Sequence, residues 1–302
     1  MRELLTTFGI GLVSGVLSGA FGIGGGIVTT PGIRLLLGAP ALVAVGTPLP
    51  VIFPSAVTGM LNYRRGGLLE VRTGVWCGVF GSVFAVLGAL ATKFVGGSVV
   101  LLATAALILY TACDMVLQVV WPPRVGLEAS EERDAFAPAG DASGDAETLP
   151  AGGDAVLGAE SDLAKPSAAS PLAPSPPQPP LLKLALIGAL TGTYSGFLGL
   201  GGGFVLVPML TRWMGYDIKR AIGTSLLAIA ILAVPGTITH ALLGHIDWRL
   251  AAVLVVGVIP GAWVGSRLTL GSSDRAIRIA FAVMLFVVGG WLAASELGWP
   301  PR

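Results

Sequence analysis

Residues 18–32 read SGAFGIGGGIVTTPG, and residues 195–210 read SGFLGLGGGFVLVPML. Both lie inside apolar segments, where a glycine cluster is out of place because glycine is a poor helix former. The first stretch carries Gly19, Gly22, Gly24, Gly25 and Gly26 within eight residues. A constant offset of 177 turns one stretch into the other, carrying Gly22, Gly24, Gly25, Gly26 and Pro31 onto Gly199, Gly201, Gly202, Gly203 and Pro208. Upstream it maps Gly11, Gly15, Ser18 and Gly19 onto Gly188, Gly192, Ser195 and Gly196. Downstream it maps Gly46-Thr47 onto Gly223-Thr224, Gly59 onto Gly236 and Gly88 onto Gly265. Such ungapped self-similarity marks two homologous halves.

The composition says what solvent the halves live in. Of 302 residues, 54% are hydrophobic and 12% charged, and the mean hydropathy is +0.82. A water-soluble core could not cover so much apolar surface with so few charges, so the chain reads as an all-α, multi-pass protein of the inner membrane. Apolar runs long enough to span fall at about 41–63, 73–92 and 98–121, and again at about 219–243, 249–268 and 275–295. A span needs about 20 residues. Two further runs, 4–38 and 181–214, are each interrupted by the glycine cluster. The opening run has one arginine ahead of it, as a signal peptide would, but the repeat assigns it to the mature fold.

Ten of the 17 acids fall between Glu128 and Asp162, in a stretch rich in Pro, Ala, Gly and Ser. Such a segment buries too little apolar surface to offset its chain entropy. The expected organisation is a first repeat over 1–121, a disordered acidic, proline-rich linker over 122–180, and a second repeat over 181–302.

Lys and Arg concentrate in cytoplasmic loops. Four plain crossings per half divide the basic residues eight against eight. If each glycine segment instead dips in and returns to its own side, each half has three true crossings and the halves are inverted. One side then holds Arg64, Arg65, Arg72, Arg124, Lys183, Arg212, Lys219, Arg220, Arg267, Arg275 and Arg278, and the other Arg2, Arg34, Lys93, Arg249 and Arg302. Eleven against five predicts glycine-broken re-entrant helices, a cytoplasmic linker and external termini.

Backbone that leaves the helix inside a bilayer needs partners for its N–H and C=O groups, and is tolerated only in protein or beside a cavity. A short helix resuming after GIGGG presents free N–H groups and a positive dipole end, which suits an anion. Inverted repeats bring two such ends together near the midplane of many secondary transporters. The candidate substrate-binding residues are therefore Gly24, Gly25, Gly26, Gly201, Gly202 and Gly203. Thr47, Thr224 and Ser225 join them as hydroxyl donors near proline-interrupted helices. Gly11, Gly15 and Gly19, spaced as GxxxGxxxG, read as helix packing. Asp114, the one acid well inside a span, and His240, at a helix end, are the candidates for proton coupling.

Other chemistry is poorly supplied. No GK[ST] follows either cluster, so a nucleotide site is disfavoured. Cys77 and Cys113 sit in apolar stretches and make neither a metal cluster nor a disulfide framework. No HExxH, Ser-His-Asp set or carboxylate cluster appears, so no enzyme, cofactor or metal is expected.

The doubled motif G-x-x-x-G-x-x-S-G-x-x-G-x-G-G-G-x-x-x-x-P, each copy followed by a Gly-Thr pair, resembles the sulfite exporter TauE/SafE family of membrane permeases. The likeness covers about 1–121 and 181–297. It implies a secondary transporter of sulfite, an organosulfonate or a related sulfur-containing anion, working by alternating access with proton coupling. The rival readings are an uncoupled anion channel, a membrane-embedded enzyme, and an assembly partner acting through the linker. The expected partners are the small anion and the lipid bilayer, with no nucleic acid; a homo-oligomer is compatible with the sequence.

Overall fold

The computed structural model describes residues 2–91, 94, 97–120, 180–199 and 201–296. The linker expected at 122–180, apart from Pro180, lies outside the described residues. Among those described there is no strand. The first half forms α1 (Arg2–Phe21), α2 (Gly26–Leu36), α3 (Ala41–Gly46), α4 (Pro48–Arg65), α5 (Val71–Ala91) and α6 (Gly97–Val120). The second forms α7 (Leu181–Leu198), α8 (Gly203–Trp213), α9 (Ile218–Leu242), α10 (Trp248–Leu270) and α11 (Asp274–Glu296). By the 177-residue offset, α1 matches α7, α2 matches α8, α3 with α4 matches α9, α5 matches α10 and α6 matches α11. Among the described residues, six helical stretches are long and apolar enough to cross a bilayer: Glu3–Phe21, Ala41–Arg65, Val71–Ala91, Leu181–Leu198, Ile218–Leu242 and Trp248–Leu270.

The run 4–38 resolves unevenly. At 1.5 Å per residue, the 20-residue α1 is about 30 Å long and the 11-residue α2 about 16 Å. The chain before the break is thus a full-length helix, and only the part after it is a half-helix. Glycines 11, 15 and 19 do not shorten α1 because close packing compensates for their poor propensity. The prolines of 41–63 act more locally than their number suggests. The helix is interrupted at Thr47, and Pro48 and Pro50 occupy the first turn of α4, where an N–H has no intrahelical partner.

The two halves swap partners. α1 packs along α10, and its counterpart α7 packs along α5, the counterpart of α10. Two self-matched contacts, α4 on α9 and α6 on α11, close the arrangement. Each half thus meets the other through the same surface, as the subunits of a two-fold dimer would. Small residues permit the long seams. A Cβ on Gly11 would lie 2.6 Å from the Leu254 carbonyl oxygen, and one on Gly15 or Gly19 would lie closer still to Val258 or Ala262. In the matching seam a Cβ on Gly188 would lie 2.6 Å from the Cys77 carbonyl oxygen, with Gly192 and Gly196 tighter against Gly81 and Ala85. This is small-xxx-small packing, in which bare backbone lets helices approach.

The loops sort onto two faces. Glu3 at the start of α1, Leu37, Ala39 and Pro40 after α2, and Ile246 and Asp247 before α10 with Trp248 and Arg249 in its first turn line one shallow depression. Elsewhere Arg220 pairs with Glu70 at 3.0 Å, Thr73 bonds Tyr216 at 2.8 Å, and Lys219 donates to the Leu270 carbonyl at 3.2 Å. Those contacts tie the α4–α5, α8–α9 and α10–α11 connections together.

Candidate functional site

The backbone repeats as faithfully as the sequence. Positive φ occurs at Gly22, Gly24, Gly25, Gly38 and Gly67, and at Gly199, Gly201, Gly202, Gly215 and Gly244. These are five pairs separated by 177. At the breaks the angles are +69°, +83° and +84° in the first half and +66°, +81° and +70° in the second. Only glycine adopts that region at little cost. Gly25 and Gly202 are the left-handed N-caps of α2 and α8, and no side chain caps either helix. The Gly25 carbonyl accepts from the N–H groups of Val28 and Thr29, and the Gly202 carbonyl from those of Val205 and Leu206, at 3.1–3.2 Å. The leading N–H groups at Gly26 and Gly203 open on the break.

The two breaks touch. A Cβ on Gly203 would collide with the Gly22 carbonyl oxygen and lie 2.7 Å from the Ile23 Cα, and one on Gly201 would lie 3.1 Å from the Ile23 carbonyl oxygen. All the described break glycines are buried. Two matched isoleucines cover them. Ile52 of α4 and Ile229 of α9 approach the Cβ position of Gly24 at 3.0 and 2.9 Å, and that of Gly201 at 3.0 and 3.4 Å. Nothing in the sequence distinguishes these two from other isoleucines in apolar runs.

Each Gly-Thr pair serves the opposite half. The Thr47 hydroxyl accepts from the Asp247 N–H at 3.0 Å, and the Thr224 hydroxyl from the Glu70 N–H at 3.1 Å. Asp247 and Glu70 are themselves a repeat pair. Close approach follows the same rule. A Cβ on Gly223 would meet the Leu68 carbonyl oxygen at 2.6 Å, and one on Gly46 would collide with the matched His245 carbonyl. Ser225 donates to Gly22 at 3.0 Å and Ile222 at 2.8 Å, which sets it on the first break. Thr47→Val keeps the shape and removes the acceptor from a buried crossing. We expect a loss of about 1–2 kcal/mol, read by thermal unfolding in detergent, and the same for Thr224→Val.

His240 is fully buried, with Nε2 at 3.0 Å from the Gly196 carbonyl oxygen and Nδ1 at 3.3 Å from Nδ1 of His245. A carbonyl only accepts, so Nε2 carries a proton and neutral His240 accepts at Nδ1. Its repeat partner Tyr63 reaches Gly19, the counterpart of Gly196, at 3.1 Å. His240 therefore stands one turn before the second break. Asp114 is elsewhere, paired with Arg212 on the half-exposed outer face of α8. The two residues singled out for proton coupling are not brought together. Arg212 was legible only as a loop-side cation, since its partner lies 98 positions away. Among the described residues no group of His, Cys, Asp and Glu could hold a metal ion.

The sequence matches the sulfite exporter TauE/SafE family over residues 7–292. The chain belongs to that family. A probable membrane transporter protein of Xylella fastidiosa (strain Temecula1 / ATCC 700964) is 23% identical over 95% of this chain and 94% of its own length. Probable membrane transporter protein YunE of Bacillus subtilis (strain 168) is 22% identical over 93% of each. Probable membrane transporter protein MamO of Magnetospirillum gryphiswaldense is 27% identical over 85% of this chain but 39% of its own. No solved structure matches. Family and helices together make this TauE/SafE chain a multi-pass membrane protein of a transporter family rather than of an enzyme family.

Proposed function

We propose that this protein is a secondary transporter of a small sulfur-containing anion, sulfite or an organosulfonate, working by alternating access with proton coupling. The observation that carries the reading is the meeting of two glycine breaks, each heading a half-helix, in the buried centre of the repeat. The anion is held by N–H groups at Gly24, Gly25 and Gly26 and at Gly201, Gly202 and Gly203. An oxyanion suits a site rich in donors that has no buried cation. Thr47 and Thr224 use their oxygens as acceptors for backbone N–H groups and so keep a hydroxyl proton to donate. Ser225 is placed at the first break as a further hydroxyl donor, its proton resting on the Gly22 and Ile222 carbonyls until an anion competes for it. Of the two coupling candidates, His240 is favoured, because it abuts Gly196 while Asp114 is paired with Arg212 away from the breaks.

The proposal includes inverted halves. Support comes from the shared depression at the start of α1 and the end of α2, as a hairpin entering from one face requires. The connections carrying Arg72, Lys219 and Arg220 meet on the other. Cysteine-accessibility labelling is expected to find the linker inside and position 2 outside; both on one side would sink the inverted arrangement.

The deciding experiment is uptake into proteoliposomes of sulfite, thiosulfate, sulfate, a sulfonate and a carboxylate, with and without a pH gradient. Saturable, gradient-driven flux of a sulfur anion is the expected result. Flux indifferent to the gradient would make the protein a channel, and no anion flux would remove the reading. In the same assay, Ile52→Ala and Ile229→Ala are expected to raise flux of the larger sulfonate relative to sulfite by uncovering Gly24 and Gly201. An unchanged ratio would show that the isoleucines do not guard the breaks.

A further inference from the structure

A cavity of about 240 Å³ opens between α6, α7 and α8, on the outer face of the second half. Its lining is mostly apolar and includes Tyr110, Tyr194, Met209 and Trp213 around the Asp114–Arg212 pair. The repeat supplies its own control. The 177-residue offset puts Leu35 opposite Arg212, Trp291 opposite Asp114, Val287 opposite Tyr110, Leu17 opposite Tyr194 and Leu36 opposite Trp213. Of the two matched faces, one is aliphatic with a single tryptophan and the other holds an ion pair ringed by aromatics. Packing and the shared repeat do not require that difference. An ion pair beside hydrocarbon also costs desolvation, and intramembrane charges mark functional sites.

The position suits a lipid headgroup. Asp114 lies six residues before the end of α6, about 9 Å along the axis, and Arg212 is the penultimate residue of α8. Trp213, the last residue of α8, is 44% exposed. Tryptophan at a helix end favours the membrane–water boundary. The Asp114–Arg212 pair is net neutral, so a singly charged ligand would leave a net charge beside hydrocarbon, whereas a zwitterion lies on the pair and keeps the site neutral. Arg212, with its side chain 54% exposed, retains donors for a phosphate beyond the Asp114 contact. The Asp114 carboxylate can accept from an ammonium, which a quaternary amine cannot offer. Leu107, Val205 and Met209 continue the lining as an apolar wall for the start of an acyl chain.

We propose that this cavity is a binding site for a phospholipid with a primary-amine, zwitterionic headgroup. The phosphate sits on Arg212 and the ammonium on Asp114. The proposal does not depend on which anion is transported. The test is native mass spectrometry of the full-length protein in mixed micelles doped equally with phosphatidylethanolamine, phosphatidylcholine and phosphatidylglycerol. Free phosphoethanolamine is the competing arm. Wild-type protein is expected to retain phosphatidylethanolamine about fivefold over either other lipid, the discrimination worth one ion pair at a half-exposed site. Asp114→Asn should reduce that preference to near unity, while Trp291→Phe on the matched face should leave it intact. Equal retention of the three lipids by wild-type protein would overturn the proposal even if Asp114→Asn failed to fold. Displacement by free phosphoethanolamine at comparable concentration would overturn the lipid as occupant.

Discussion

Gly25→Val is expected to abolish anion flux in reconstituted vesicles while the protein still inserts and elutes as a single species. Gly25 holds φ at +84° as the left-handed N-cap of α2. A side chain there costs about 1–2 kcal/mol, more when β-branched. The nearest atom to an added Cβ is the Ser14 Oγ at 2.6 Å, which must give up its bonds to the Gly25 carbonyl and the Thr29 hydroxyl to move aside, and the next atoms lie at 3.5 Å, so no backbone has to shift. The substitution should therefore re-aim the N–H groups at the head of α2 without breaking the fold. Gly202→Val should also abolish flux at a larger stability cost. Its Cβ would lie 2.6 Å from the Thr191 methyl and 2.9 Å from the Thr191 carbonyl oxygen, which is backbone. Flux assays paired with thermal unfolding separate the two effects. Normal transport by Gly25→Val would remove the anion-holding role of the break.

Gly196→Leu is expected to prevent recovery of folded protein, or to lower its midpoint of unfolding by roughly 10 °C. An added Cβ would overlap the Ala85 carbonyl oxygen and crowd the Ala85 Cα at 2.9 Å. These are backbone atoms in the middle of the α5–α7 seam and cannot yield without separating the helices. Overpacking of this kind costs about 1–3 kcal/mol or more. His240 would suffer as well, since its Nε2 depends on the Gly196 carbonyl at 3.0 Å. Gly9→Leu and Gly290→Leu are the controls, because no atom lies within 4 Å of either Cβ position. If all three variants unfold alike, the seam is not what holds the halves together.

The glycine rows show how much of this was readable beforehand. Gly11, Gly15 and Gly19 announce a close helix partner through their spacing, but not which helix. α10 lies more than two hundred residues further on, and no local pattern names it. The Gly-Thr pairs are similar. Their recurrence marks Thr47 and Thr224 as important, yet each hydroxyl meets the N–H of an acid in the opposite half. Ile52 and Ile229 carried no signal, because an isoleucine in an apolar run is the expected residue. Asp114 stood out as an acid in a span, while its partner Arg212 looked like any loop-side cation.

By itself the sequence determined the duplication, the membrane solvent, the two break points and the glycine rows. Each is written locally, in hydropathy, in the backbone freedom of glycine, or in recurrence at one fixed offset. Only the tertiary structure decided that the breaks meet, that two isoleucines cover them, and that each half packs its first helix along the other half's α5 or its counterpart α10. Those facts depend on which surfaces can approach within backbone distance. That is a property of two helices together, and neither helix encodes it alone.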